Sequence, residues 1–464
     1  MRLFYRISGQ IVMALVVLLA PGLSFAQDDN VLQIATFRAD VTPPIGAVLC
    51  NGGVEPAQEI VDPLTARGVV LWAADGPIVL CAVDWVGIGN EAHDAWRDAL
   101  AKAAGTTRER VAVHTLHQHD TPGADYTAER FLAGNGIGGA MFDVEAAVQA
   151  LNHVAAAVAE AASRPERVTH LGIGMGRVEK VASNRRILGP DGQCGPARFS
   201  SCRSEELRNA PEGLIDPNVR MLSFWNEDKP LVCLSYYATH PQSHYGKGGV
   251  SWDFVGIARA LRDAALPGTL HVHFNGAGGD IAAGKYNDGS PENRPVLAAR
   301  LAEGMRLAWE STEKTPITAS DVHWRTFPVS LPVSEAYDML EEGKILADEA
   351  ENTPRRVRAA RALAWFYRMS SGHRIDLAAL DVGPATVLHM PGELCIGYQL
   401  AAQEMGPGRF VCLAAYGDYA PGYICLSEAY PQGGYEPSAS RVSPEVEGVL
   451  MQGMHALLQE TAGE

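Results

Sequence analysis

Cys-x-x-Cys pairs are absent from this chain. Its eight cysteines, Cys50, Cys81, Cys194, Cys202, Cys233, Cys395, Cys412 and Cys425, are thinly spread, which argues against structural zinc held on thiolates. Positive charge is also in short supply, with 38 Lys and Arg against 54 Asp and Glu for a net −16. An acidic surface of that size repels phosphate backbones and anionic head groups, so nucleic acid is not an expected partner. Beyond residue 26 no apolar run approaches the roughly 20 residues that a membrane-spanning helix needs. Internal repeats, low-complexity tracts and linkers are missing too, which makes residues 27–464 read as one large domain. Only 20% of residues are charged and 47% are hydrophobic, a balance that excludes a disordered or fibrous chain and leaves enough apolar side chains for a packed core.

The first 26 residues do carry a pattern. Arg2 and Arg6 precede an apolar run from Ile11 to Leu19, and Ser24-Phe25-Ala26 stands before the acidic Gln27-Asp28-Asp29. These are the three parts of a signal peptide, so the mature protein is expected to be exported, periplasmic or secreted, and soluble. In an oxidising compartment Cys194 and Cys202, which flank a Gly-Pro-containing loop, could form a local disulfide. Cys81, Cys233 and Cys412 lie in apolar strand-like runs and read as small buried hydrophobes.

Periodicity along the chain predicts an α/β fold, a single large domain with mixed β-sheets flanked by helices. Short β-like runs at Leu32 to Phe37, Gly68 to Trp72 and Ile78 to Val83 are followed by helical spacing from Ala92 to Ala104 and a strand from Val111 to His114. Val144 to Ala162 is alanine-rich and helical. Alternation of strand and helix returns through Leu231 to Tyr237, Val255 to Ala265, Leu270 to Phe274 and Pro295 to Trp309. Residues 333–369 form a charged helical excursion with Glu341, Glu342, Arg355, Arg356 and Arg358 assigned to its solvated face. Strand periodicity resumes from Ile375 to Met390, and the Gly-, Tyr- and Pro-rich segment Tyr416 to Ser440 has the composition of loops that line a site.

Five clusters can carry chemistry. His114, His117 and His119 stand within six residues at the exit of a strand, where alternation along an extended chain would put His117 and His119 on one side. Neutral imidazoles so placed are half of a metal site; the plain alternative is a solvated polar loop. His240, at a second strand end, precedes Pro241, which fixes the turn beneath its imidazole. The run Asn275 to Asp280 is glycine-rich but lacks the lysine and Ser/Thr of a phosphate-binding loop, which leaves either a close backbone approach to a ligand or a tight turn with a solvated Asp280. Met390-Pro391-Gly392-Glu393 offers a carboxylate, and two histidines plus one carboxylate leave zinc an open coordination position. Spacing alone reads Tyr435, in Gly433-Gly434-Tyr435-Glu436, as a packed aromatic.

In this order the five segments resemble the catalytic domain of the neutral/alkaline ceramidase family. The resemblance is carried by His117-Gln118-His119, Ala238-Thr239-His240-Pro241, Gly279-Asp280, Pro391-Gly392-Glu393 and Gly433-Gly434-Tyr435-Glu436. It is extended by Asp40-Val41-Thr42-Pro43-Pro44-Ile45-Gly46 and Ser251-Trp252-Asp253-Phe254-Val255-Gly256, and so spans nearly all of residues 35–445. It implies one Zn2+ held by His117, His240, Glu393 and Tyr435, a substrate-facing His119, and an Arg185 that contacts a carbonyl or oxyanion, with a surface arginine as the plain alternative.

Two departures qualify the resemblance. Where ceramidases continue the Gly-Asp loop to a serine nucleophile followed by proline, this chain has Ala282-Ala283 after Ile281. It also stops where ceramidases would continue into an immunoglobulin-like domain. The expectation is therefore an exported zinc hydrolase of an amide or ester bond in a small-molecule or lipid-like N-acyl substrate. Water activated at the metal would replace the serine, with His119 and Asp280 sharing the acid and base roles. A non-catalytic ligand-binding protein that keeps the metal pocket is the alternative.

Overall fold

Three sheets built on one plan form the computed structural model, which describes residues 30–459. The expected signal peptide lies outside the described residues. In each sheet an antiparallel hairpin is followed by a strand–helix–strand crossover that adds a parallel strand at the edge. The first sheet runs Val111–Thr115, Gly76–Val83, Thr65–Ala73, Gln33–Asp40, Glu166–Arg167, with Asn90–Ala104 as its crossover helix. The second runs Leu270–Asn275, Lys229–Tyr237, Asn218–Asn226, His170–Arg177, Glu313–Pro316, crossed over by Asp253–Ala265. The third runs Val322–Val329, Ile375–Val382, Ala385–His389, Phe410–Ala414, crossed over by Ile396–Met405.

Alternation sorts side chains between two cores. Ile78, Leu80 and Ala82 of the first sheet, Val232, Leu234 and Tyr236 of the second, and Ala378, Leu380 and Val382 of the third all enter one shared inner core. Their neighbours face outward, Val79 and Cys81 against the helices Asn90–Ala104 and Val144–Ala162, Cys233 against Asp253–Ala265 and Asn293–Glu310, and Leu377 against Val446–Gln459. With both faces buried, these strands read as nearly continuous apolar runs. The helix Asn293–Glu310 comes so close to the second sheet that a Cβ at Gly174 or Gly176 would meet Ala308 O at 1.9 Å or Gly304 O at 2.1 Å. Only glycine fits that contact.

The α/β architecture is thus as expected, with three differences. Ile375 to Met390 is a hairpin of two strands, because Gly383, with φ +53°, turns the chain between Val382 and Ala385. The helical excursion is two helices, Met339–Ala347 and Thr353–Ser370, and its arginines are not simply solvated: Arg356 is buried, donating to Leu346 O and Asn135 O. Cys194 and Cys202 are free thiols anchored in different places, their amides bonding Gln432 O and Asn287 O; instead Cys395 and Cys425, each just past one of the paired strands Glu393–Leu394 and Tyr423–Ile424, come within hydrogen-bonding reach. No described helix is long and apolar enough to cross a membrane.

Asp84, fully buried just past Gly76–Val83, ties the first sheet to the second. It accepts from Thr65 N and Oγ1, both Arg259 nitrogens at 3.0 and 2.7 Å, and Gln118 Nε2 at 3.1 Å. Burial raises its pKa, but Arg259 and the Thr65 bonds outweigh this and hold the carboxyl below the usual range. A depressed folded pKa means stability present above the unfolded value of about 4 and lost as pH falls through the folded one. Asp84→Ala, which strands a buried Arg259, is expected to cost about 3–5 kcal/mol in urea unfolding at pH 7; a loss under about 1 kcal/mol would show the pair to be dispensable.

Candidate metal centre and its cavity

The carboxyl ends of the parallel strands face one place, the usual location of a site in α/β sheets. Each sheet delivers one functional side chain there: His117 follows Val111–Thr115, His240 follows Lys229–Tyr237, and Glu393 follows Ala385–His389. All three are buried, and their ligand atoms lie within 4.8 Å of one another. Glu393 Oε2 is 3.2 Å from His117 Nε2 and 3.3 Å from His240 Nε2.

The tautomers follow from the partners. His117 Nδ1 is 2.7 Å from Val86 O, and His240 Nδ1 is 2.6 Å from Gly278 O and 3.1 Å from Ile281 O. A carbonyl can only accept, so both Nδ1 atoms carry hydrogen, and a neutral ring so held presents its lone pair at Nε2. Burial and the nearby Arg185 push the His240 pKa down to about 4, so this ring is neutral at pH 7. His117 Nε2 and Glu393 Oε2 have no hydrogen-bond partner. Two imidazole nitrogens and a carboxylate oxygen, all electron-pair donors, suit a divalent cation of the zinc type. Hydrogen-bonded carbonyls behind each histidine are the support such ligands need.

His117 does not reach this point by strand alternation. The strand stops at Thr115, and His117 has φ +70°, left-handed backbone that is uncommon outside glycine. Tyr416, at φ +60°, stacks on it at 4.8 Å. Two such residues in contact mark local backbone strain of about 1–3 kcal/mol each, held by the surrounding structure. His119, partly buried, stands edge-on to His117 at 5.2 Å and to Tyr245 at 4.7 Å, and its pKa is driven well below the usual value by burial and the two neighbouring histidines.

A cavity of about 590 Å³ opens beside the cluster, lined by His117, His119, Glu393, Tyr419, Tyr423 and Tyr435 at this end. Tyr419 donates to Glu393 Oε1 at 2.9 Å, and the Tyr423 hydroxyl is 3.4 Å from His240 Nε2. Tyr435, 44% exposed, packs edge-on to Tyr423 at 5.5 Å. Arg185 is buried rather than on the surface. Its Nε donates to Glu436 at 2.6 Å, its guanidinium lies 5.2 Å from the Tyr423 ring centre, and its Nη2 has no partner. Asp280 is set apart from the cavity lining: its two oxygens accept from Ile396 N at 2.8 Å and Asn184 Nδ2 at 3.0 Å, which ties together the segments bearing Glu393 and Arg185. Ala282 is buried where Ile281–Ala282 pairs with Ser183–Asn184. His114 bonds Ala415 O and His389 outside the cluster.

Fold and site together define a neutral-ceramidase-like α/β protein with a buried His-His-Glu cluster at a cavity. The chain superposes on the crystal structure of neutral ceramidase from Pseudomonas aeruginosa with a TM-score of 0.69 at 17% identity, over 94% of this chain and 76% of that one. A ceramidase complexed with C2 gives 0.68 at 16% identity, over 94% and 77%. No family model and no curated protein matches the chain.

Tyr416, Tyr419, Tyr423 and Glu436 were not singled out by sequence as parts of the site, although the Gly-, Tyr- and Pro-rich composition of Tyr416 to Ser440 pointed at their loop. The donor set makes a direct prediction. Metal-free protein titrated with zinc is expected to bind one ion per chain by mass spectrometry and to melt at higher temperature, whereas Glu393→Gln and His240→Ala lose both effects. Unchanged zinc content in His240→Ala would disqualify the cluster.

Proposed function

We propose that this protein is an exported, zinc-dependent hydrolase of an amide bond, or of an ester, in an N-acyl substrate. The observation that carries the reading is the convergence of three buried electron-pair donors, with hydrogen-bonded supports, beside a cavity that two of them line in a ceramidase-like fold. His117, His240 and Glu393 would hold the ion, with Tyr435 as the fourth ligand by resemblance. A bound zinc ion would supply Lewis acidity to the scissile carbonyl and lower the pKa of water to about 7, which provides a nucleophile where the family serine is missing.

The chain's own residues would do the rest. His119 borders the cavity and is neutral at pH 7, so it can take the proton of the attacking water and return it to the departing amine. Arg185, with Nη2 unpaired, donates to the oxyanion as charge develops, and Glu436 keeps its side chain from wandering. Asp280 acts at one remove by fixing Asn184 and Ile396. The tyrosines hold the ligands and exclude water. Export rests on the segment Met1 to Ala26 alone and leaves periplasmic and secreted locations equally open.

Ala282 supports a second reading, a non-catalytic binding protein that keeps the metal pocket, since no hydroxyl stands at the family's nucleophile position. Turnover separates the two. Zinc-loaded protein is expected to hydrolyse members of a panel of N-acyl amides and esters, to stop on chelation, and to lose about 10²-fold or more in kcat on Arg185→Gln. Full zinc occupancy with no turnover across the panel would favour the binding protein.

A further inference from the structure

The far wall of the same cavity carries guanidinium groups that no ion pair within 4.0 Å answers; the buried Asp125 acts on Arg361 and Arg441 only from further away. Arg358 and Arg361 stand one turn apart on the helix Thr353–Ser370 and line the cavity, and Arg441 lines it from the loop before Val446–Gln459. Among the described residues none of the three has a carboxylate within 4.0 Å, although Arg355 on the same face is paired with Glu351. Arg441 is buried, gives Nη1 to Ala420 O and leaves Nε without a partner. Burial and the neighbouring Arg361 push its pKa down to about 10. Glu342 is the one carboxylate lining this end, and it forms no ion pair within that distance. Two adjoining guanidiniums in a partly desolvated cavity are costly unless a negative group joins them.

We propose that Arg361 and Arg441, with Arg358 at the rim, form the receptor for an oxyanion of the substrate, a carboxylate or a phosphate, set apart from the scissile carbonyl. This adds a substrate class to the hydrolase reading and rests on it. Arg361 lies 5.1 Å from the Tyr419 ring centre, and the Tyr419 hydroxyl bonds Glu393. One tyrosine side chain therefore spans the gap between receptor and metal ligand, so the oxyanion belongs within a few bonds of the scissile carbonyl. Guanidinium groups present planar donor pairs that match either anion, whereas a neutral long-chain amide would leave both arginines unanswered.

The test uses full-length, zinc-loaded protein and three ligands in which CH2 replaces the amide N–H, so that none can be hydrolysed. They are analogues of N-lauroylglycine, of phosphorylated N-lauroylethanolamine and of neutral N-lauroylethanolamine. By calorimetry at least one anionic analogue is expected to bind about tenfold or more tighter than the neutral one, the better of the two identifying the oxyanion. Arg361→Gln, and the rim substitution Arg358→Glu for the case in which the first does not fold, should each shrink that ratio toward one, with zinc content and melting temperature reporting the integrity of the variants. Equal binding of all three, or a ratio that survives in a folded variant, would overturn the proposal. Anion-selective binding by a protein that hydrolyses no amide or ester would leave the receptor standing and sink the hydrolase reading, while turnover of neutral amides without anion preference would do the reverse.

Discussion

The Nδ1 hydrogens of His117 and His240 are held on the far sides of the rings by Val86, Gly278 and Ile281 carbonyls, so neutral rings turn His117 Nε2 and His240 Nε2 as lone pairs toward Glu393 Oε2. Three electron-pair donors forced this close in a buried place repel one another unless a cation stands among them. Much of the fold can be read as what keeps them there. Each donor comes from a different sheet, so all three sheets must meet at one end and share one inner core. Asp84, Arg259 and Gln118 lock the first sheet's exit loop against the second, and Asp280 does the same between the Arg185 segment and the Glu393 segment. The left-handed backbone at His117 and Tyr416 is the local cost of bringing the loops together.

What could be read in the sequence was what is local. Strand and helix periods located the crossover elements of the first two sheets, because strands buried on both faces write continuous apolar runs and the helices between them write a 3.6-residue period, whereas the third crossover helix, Ile396–Met405, went unread. The clusters around His117, His240 and Glu393 were visible because each sits where an apolar run stops. That the plan is used three times was not visible, since the units share topology without sharing residues. Nor could spacing show that Tyr419, Tyr423 and Glu436 belong with residues 26 to 251 positions away, that Cys395 meets Cys425 rather than Cys194 meeting Cys202, or that His117 leaves the extended conformation. Contacts of that kind depend on how sheets dock. Solvation was misjudged at Arg356 for the same reason: a charged stripe on an isolated helix reads as a solvated face, and only the docked hairpin reveals that Arg356 is buried while Arg355 and Arg358 stay exposed.

Charge balance connects the metal centre to that stripe. Two imidazole ligands in the neutral form that a metal requires, with one carboxylate, give the ligand set a formal charge of about −1, so a divalent ion leaves the centre positive unless a phenolate joins it. Arg185 and Arg186 share the single carboxylate of Glu436, which leaves that trio about one positive charge. Arg361 and Arg441 have no carboxylate within 4.0 Å, and Asp125 acts on both only from further away. The chain as a whole is strongly acidic, yet its cavity concentrates positive charge behind low-dielectric walls, and a field of that shape draws small anions in while the outer surface repels large polyanions. A cavity built for a neutral lipid would gain nothing from this and would bear the desolvation cost of the arginines. An anionic substrate turns the same cost into binding, and it leaves the oxyanion that forms during hydrolysis in a field already arranged for negative charge.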